Sequence, residues 1–209
     1  MSRLDEEFSW PKARALELLP PSTLSSDAQG TIAGSGEQRM DHGSIVQRGN
    51  GCDLLRPLSV QNLCLQFASL ELTSTSCLSF AQKWGFLTKP ASGSTFEPVS
   101  LWLDEIKRMR DALDNSGPLK LENGVILPAH IELRPGPEGV VIRTRPATLL
   151  GGLWLQLAER IAGGATLITC DHCGQWFAAG SPGGRRRVAR FCSPKCKHGW
   201  HNARRAAAG

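Results

Sequence analysis

Two close cysteine pairs, Cys170 with Cys173 and Cys192 with Cys196, constrain this chain more than any other feature. A Cys-x2-Cys turn presents two thiolates to one point, and a second pair one helical turn apart presents two more. Four such ligands are what a tetrahedral Zn²⁺ requires. The spacing therefore predicts a zinc site on Cys170, Cys173, Cys192 and Cys196. Four thiolates leave no open coordination position for water or substrate, so the expected role of the metal is structural. His172, His198 and His201 lie close in sequence, but the four-cysteine set closes the site without them. Disulfides are disfavoured. Seven cysteines are an odd number, Cys52, Cys64 and Cys77 are scattered, and nothing at the N-terminal end looks secretory. Reduced thiols imply an intracellular, cytoplasmic setting.

The flanking residues say how the site is built. Leu167, Ile168 and Thr169 read as a short strand entering the knuckle, and Gly174 supplies the left-handed backbone that such a turn needs. Trp176 and Phe177 follow. After a Gly/Pro/Ser loop over 180–184 the chain returns through Val188, Ala189, Arg190 and Phe191, which predicts a hairpin. Ser193 is an N-cap residue and Pro194 an N1 residue, so a helix is expected from there to about Ala208. Cys196 then falls in the first turn, where the helix dipole favours a thiolate.

Knuckle, hairpin and ligand-bearing helix is the order of a treble-clef zinc finger. The string Phe191-Cys192-Ser193-Pro194-Lys195-Cys196 resembles the Phe-Cys-Ser-x-x-Cys signature of several such fingers, among them the small bacterial gyrase-inhibitor zinc proteins. A helical N-terminal region followed by a C-terminal finger also resembles the bacterial CGNR-type zinc-finger proteins. Here, however, Cys196 is followed by Lys197-His198-Gly199 and not by Gly-Asn-Arg. That resemblance implies a transcriptional regulator.

Charge points to a polyanion independently. Residues 172–209 hold eight Lys or Arg and no Asp or Glu, while residues 1–171 hold sixteen basic and all nineteen acidic residues. A Zn(Cys)4 centre offsets two charges, leaving about +6 on the finger, a density suited to nucleic acid. On a helix, Cys196, Trp200, Ala203 and Ala207 share the side expected to face the metal, with Lys197, His201, Arg204 and Arg205 opposite. Together with Arg185, Arg186, Arg187, Arg190 and Lys195 these are the candidate nucleic-acid contacts, to DNA more than RNA. Trp176 and Trp200 are expected inside the finger. The competing readings are a protein-interaction module with a structural finger and an enzyme with a purely structural zinc.

The remainder reads as α+β: a mainly helical N-terminal domain with short β-hairpins, ahead of the small treble-clef finger. The expected divisions are a flexible leader at 1–51, the larger domain at 52–164, a possible sensor or interaction domain, and the finger at 165–209. Pro20-Pro21 and a Ser/Gly/Gln-rich stretch mark the leader, in which Leu4, Phe8, Trp10, Leu16, Leu18 and Leu19 suit a short docked helix. Amphipathic patterns predict helices over 75–84, over about 99–113 through Val99, Trp102, Leu103, Ile106, Arg110 and Leu113, and over 149–161 ahead of Gly163-Gly164. Short strands are expected at 124–127, 131–133 and 140–144. The third apolar stretch is too short to span a membrane. Phosphate loops, His-Glu-x-x-His and Gly-x-Ser-x-Gly are all lacking, so no enzymatic activity is expected. Cys52, Cys64 and Cys77 read as small buried apolar groups, and His42 and His130 stand alone.

Overall fold

The computed structural model describes residues 10–13, 16–19, 43–47, 52–56, 59–88, 96–114, 129–136, 139–180 and 188–206. It is a mixed helix and strand fold ending in a cysteine cluster. Strands β1 (Trp10–Ala13), β2 (Leu16–Leu19), β3 (Ser44–Gln47) and β4 (Cys52–Leu55) come first, then helices α1 (Leu63–Ala68) and α2 (Ser74–Trp84). Strand β5 (Phe96–Pro98) leads into α3 (Val99–Asp114). The hairpin β6 (Ala129–Gly136) and β7 (Gly139–Pro146) then precedes α4 (Leu149–Ala162). Strands β8 (Thr166–Thr169) and β9 (Trp176–Ala179) and helix α5 (Pro194–Ala206) are the last elements among the described residues.

The helices follow from their patterns and caps. Thr73 caps α2, its hydroxyl oxygen accepting from the Ser76 N–H at 3.2 Å, and Thr148 caps α4 by accepting from the Gly151 N–H at 2.9 Å. On α3 the expected face is buried: Val99, Trp102, Leu103, Ile106 and Leu113, with Met109 and Glu105 added. Arg110, expected on the same stripe, donates from Nε to the Ala68 carbonyl at 2.6 Å and from its guanidinium to the Leu70 carbonyl, satisfying the end of α1.

Helix α1 has no amphipathic signal, because Leu63, Cys64, Leu65, Phe67 and Ala68 are all buried. It is held from α4, where Gln156 accepts from the Cys64 N–H at 2.8 Å and donates to the Val60 carbonyl at 2.9 Å. Cys64 and Cys77 are buried apolar groups, as expected, and desolvation pushes their thiols up to about 12 and about 11. The side chains of Cys52 and His130, like His42 altogether, lie outside the described residues.

The leader requires a correction. Residues read as flexible form β1, β2 and β3, and Trp10, Leu16, Leu18 and Leu19 lie on strands, not on a docked helix. Leu4 and Phe8 lie outside the described residues, as does the strand expected at 124–127. β1 pairs antiparallel with β4, while β2, β3 and β5 form a three-stranded antiparallel sheet. The β-branched pair Ile45 and Val46 is buried there, and Ile45 and Leu16 join the main core. Beyond the leader, the expected strands at 131–133 and 140–144 extend to the full β6–β7 hairpin, in register from Ala129 opposite Pro146 to Gly136 opposite Gly139.

The main core centres on Phe67, Phe80 and Trp102, with ring centroids 5.3 to 6.2 Å apart. Two buried carboxylates brace it. Glu97 accepts from the Leu87 N–H at 2.8 Å, the Thr88 N–H at 2.6 Å, the Thr88 hydroxyl at 2.7 Å and Trp102 Nε1–H at 3.1 Å. Glu105 accepts from Trp154 Nε1–H at 3.1 Å, joining α3 to α4, and pairs with Arg108.

The β8–β9 hairpin carries a different apolar set on each face. Opposed residues run from Thr166 and Ala179 to Thr169 and Trp176. Leu167 and Trp176 pack on the main core, while Ile168, Phe177 and Ala179 belong to a second, small core around the cysteines. This is the period-two alternation of a strand with both faces covered. The Trp176 N–H also donates to Ser69 Oγ at 3.0 Å, beside the end of α1. The expected division at 164 is therefore crossed by packing and by a hydrogen bond.

Candidate metal centre

The knuckle occupies the tip of the β8–β9 hairpin. The Gly174 N–H donates to the Cys170 carbonyl at 2.9 Å and the Cys170 N–H to the Gln175 carbonyl at 3.0 Å, closing the turn. Gly174 has φ 69°, and a Cβ there would meet no atom within 4 Å. The requirement for glycine is thus conformational, not spatial.

The returning segment differs from expectation. Residues 188–191 are irregular and form no strand, and the hairpin that exists is β8–β9 itself. The return is fixed instead by the knuckle. The Asp171 N–H donates to the Arg190 carbonyl at 3.0 Å, and the Arg190 guanidinium donates to the Asp171 carboxylate at 2.6 Å from Nε and 2.5 Å from Nη2. Asp171 is the one carboxylate side chain between 165 and 209.

Ser193 is the N-cap read from the sequence, its hydroxyl oxygen accepting from the Cys196 N–H at 3.1 Å. The next backbone bond, from the Lys197 N–H to the Ser193 carbonyl at 3.1 Å, starts α5. Cys196 therefore sits in the first turn, over the knuckle.

These constraints bring the four thiols together. The Sγ atoms of Cys170, Cys173, Cys192 and Cys196 all lie within 4.8 Å of one another, with Cys192 3.4 Å from Cys196 and 3.6 Å from Cys173. Four sulfurs around an ion at a Zn–S length of about 2.3 Å would stand about 3.8 Å apart, whereas a disulfide needs about 2.05 Å. All four are free thiols at the separation of a shared cation. His172, His198 and His201 are not in the cluster.

The environment favours at least one thiolate. Burial raises Cys170, but N–H groups of Cys192, Cys173 and His172 outweigh it and hold the thiol down to about 6. The Cys192 N–H reaches Cys170 Sγ at 3.4 Å. Burial and then the neighbouring thiols Cys196, Cys173 and Cys170 push Cys192 up to about 12. Sulfurs this close share protons when no cation is among them, and a divalent ion reverses that by favouring every thiolate.

No protein-family model, curated protein or solved structure matches this chain. Its site is thus known by its own geometry.

Of the candidate basic residues, Lys195, Lys197, His201, Arg204 and Arg205 lie exposed on α5. Arg190 is engaged with Asp171 at the knuckle, and its guanidinium lies 5.4 Å from the Trp200 ring of α5. Arg185, Arg186 and Arg187 lie outside the described residues, as does Ala207.

Trp176 and Trp200 are not inside the finger. Trp176 packs on the main core, and α5 has no buried residue at all. Trp200 is partly exposed, 5.7 Å from Phe191 and 5.1 Å from His201 between ring centroids.

Sequence reasoning also missed Gly199. A Cβ there would lie 2.6 Å from Nε2 of His172, so the helix closes on the knuckle imidazole, and a larger residue would require that exposed ring to swing away. A glycine inside a helix costs about 1 kcal/mol relative to alanine, and that unexplained cost was the available signal. Among the described residues no helix is long and apolar enough to cross a membrane.

Proposed function

We propose that the chain binds Zn²⁺ through Cys170, Cys173, Cys192 and Cys196 as a treble-clef-like finger, and that the basic side of α5 binds nucleic acid, DNA before RNA, in a bacterial transcriptional regulator. The observation that carries this reading is the exposed stripe of Lys197, His201, Arg204 and Arg205, with Lys195 beside it, on a helix anchored at its first turn in the thiol cluster. At 100° per residue those four side chains span roughly 100° of the helix surface, away from Cys196. The metal then has a structural role, since four thiolates complete a tetrahedron. Zinc suits four sulfurs without redox demands, and the ligand order of knuckle followed by helix N-terminus supports the finger class.

Metal analysis of purified protein is the first test, with one zinc per chain expected. Duplex DNA affinity is the second. Its logarithm should fall with log salt at about −0.9 per phosphate contacted, and replacing Arg185, Arg186 and Arg187 together by Ala should reduce that slope by up to about 3. Salt-independent binding to the duplex, or none, would refute duplex DNA as the ligand.

One observation favours a protein partner instead. A shallow groove beside the start of α5 is lined by Val188, Ala189, Phe191 and Pro194, with Arg190, Lys197 and His198 at its edge, and Val188 is 83% exposed. An acidic peptide with an apolar anchor suits that surface. Capture that survives high salt would support it.

A further inference from the structure

We infer that Trp200, flanked by Phe191 and His201, is a stacking site for unpaired bases, so that the preferred ligand of the finger is single-stranded nucleic acid. The inference rests on the nucleic-acid reading above and narrows it to a substrate class.

The position of Trp200 carries the argument. At 100° per residue it lies about 40° from Cys196 on one side and about 40° from Arg204 on the other. It therefore stands at the border between the metal centre and the basic stripe. The small core takes in Cys196 and Phe191 but not Trp200, so the indole is held at the surface by neighbours and is not consumed in packing. Phe191 sits 5.7 Å away at 55° and His201 at 5.1 Å, nearly perpendicular, so both rings hold the indole in place.

What covers the indole is cationic. The Arg204 guanidinium lies 5.2 Å from the ring centroid and that of Arg190 lies 5.4 Å away. Arg190 is tied to Asp171 and stays with the protein. Arg204 has no carboxylate partner among the described residues. At an exposed site its stacking on Trp200 is worth a factor of only about 2 to 5. A phosphate offers Arg204 a stronger partner, and the face it leaves is then open to the adjoining base. Aromatic faces beside backbone-tracking cations are the pairing by which proteins hold single strands without reading sequence. A paired base in a duplex has both faces covered by its neighbours, so Trp200 has nothing to stack on there.

The test uses metal-loaded full-length protein and four probes of about 12 nucleotides, within the usual site size of such surfaces. These are a thymidine strand, a uridine strand, the abasic deoxyribose-phosphate strand and a duplex. On unaltered protein the abasic strand should bind about 5- to 150-fold more weakly than the thymidine strand, the range corresponding to ~1–3 kcal/mol for stacking one base. Trp200→Leu should lose the same factor on the thymidine strand while its affinity for the abasic strand and the duplex changes less than about twofold. Trp200→Phe should keep most of the affinity. The thiolate-to-cobalt absorption of cobalt-loaded variants, unchanged from the parent, shows that the centre is intact.

A base-dependent factor on either the thymidine or the uridine strand supports the proposal and tells which sugar the site accepts. Equal affinity for abasic and base-bearing strands overturns it, even if Trp200→Leu fails to fold, because that comparison needs no variant. Steep salt-dependent binding without base dependence would leave the basic helix standing and remove only the stacking site. Absence of binding to all four probes would remove the nucleic-acid reading itself.

Discussion

Removing the metal should melt α5 and leave the β8–β9 hairpin in place. Helix α5 has 13 residues and no buried side chain, and isolated helices shorter than about 12–15 residues are marginal in water. Its fixed points are Cys192 and Cys196 at the thiol cluster, the Ser193 cap and the Arg190–Asp171 pair. For such a segment, metal binding of about 10–16 kcal/mol is in effect its folding energy. The hairpin differs, because Leu167 and Trp176 pack on the main core and Trp176 is hydrogen-bonded to Ser69. The five helices have 6, 11, 16, 14 and 13 residues, so α5 is about a fifth of the helix in the described residues. A strong chelator should therefore remove about a fifth of the far-UV helical signal. Hydrogen exchange should then show amides of 194–206 unprotected and those of β8 and β9 still protected. Loss of more than about half the signal, or hairpin amides opening together with α5, would show that the main core depends on the metal. Retention of α5 would show that the thiol cluster does not hold it.

Three further outcomes are expected. Ser193→Ala removes the N-cap of α5 at a typical cost of about 1 kcal/mol, so apparent metal affinity measured by competition should fall about fivefold; an unchanged affinity would separate the helix from the centre. Glu97→Gln turns an amide NH2 toward a site filled with donors and should lower stability to urea by about 1–3 kcal/mol. Burial also pushes the Glu97 carboxyl up, so the native state binds its proton more tightly than the unfolded chain. Its contribution is complete below the ordinary carboxylate range and lost as pH rises through the raised value, a dependence absent from the variant. After chelation, alkylation read by mass spectrometry should modify Cys170, Cys173, Cys192 and Cys196 and spare Cys64 and Cys77, whose thiols are buried and pushed up to about 12 and about 11.

The cysteine spacing was legible because ligand geometry leaves few alternatives, and the Ser193-Pro194 start of α5 because capping is local chemistry. Helix α3 was legible through its periodic face. Helix α1 was not, since a six-residue segment buried on nearly every side has no polar stripe to reveal a period. Strand β3 was hidden by its surroundings: Ile45 and Val46 are strand formers within a Ser/Gly/Gln-rich stretch whose average suggests disorder. Trp200 misled for a geometric reason. Its place four residues after Cys196 puts it on the metal side of the helix, but periodicity gives direction without depth, and the small core takes in Cys196 but not Trp200. The strand expected at 188–191 did not form because the Asp171–Arg190 bonds, which join residues nineteen apart, replace a ladder that sequence alone favours.

The two-faced hairpin bears on how this chain tolerates cutting and splicing. Because Trp176 and Phe177 are adjacent yet serve different cores, a cut at residue 164 would part Leu167 and Trp176 from the main core they pack against. Excision there would uncover the main core where Leu167 and Trp176 lay, and would give the excised piece an exposed indole face of its own. A single-residue insertion between Trp176 and Phe177 would turn over the residues beyond it and send Phe177 and Ala179 away from the small core they fill. Chimeras that keep 166–179 with the larger body preserve the packing of Leu167 and Trp176, but the exchanged segment must then bring its own partners for Cys170, Cys173, Phe177 and Ala179.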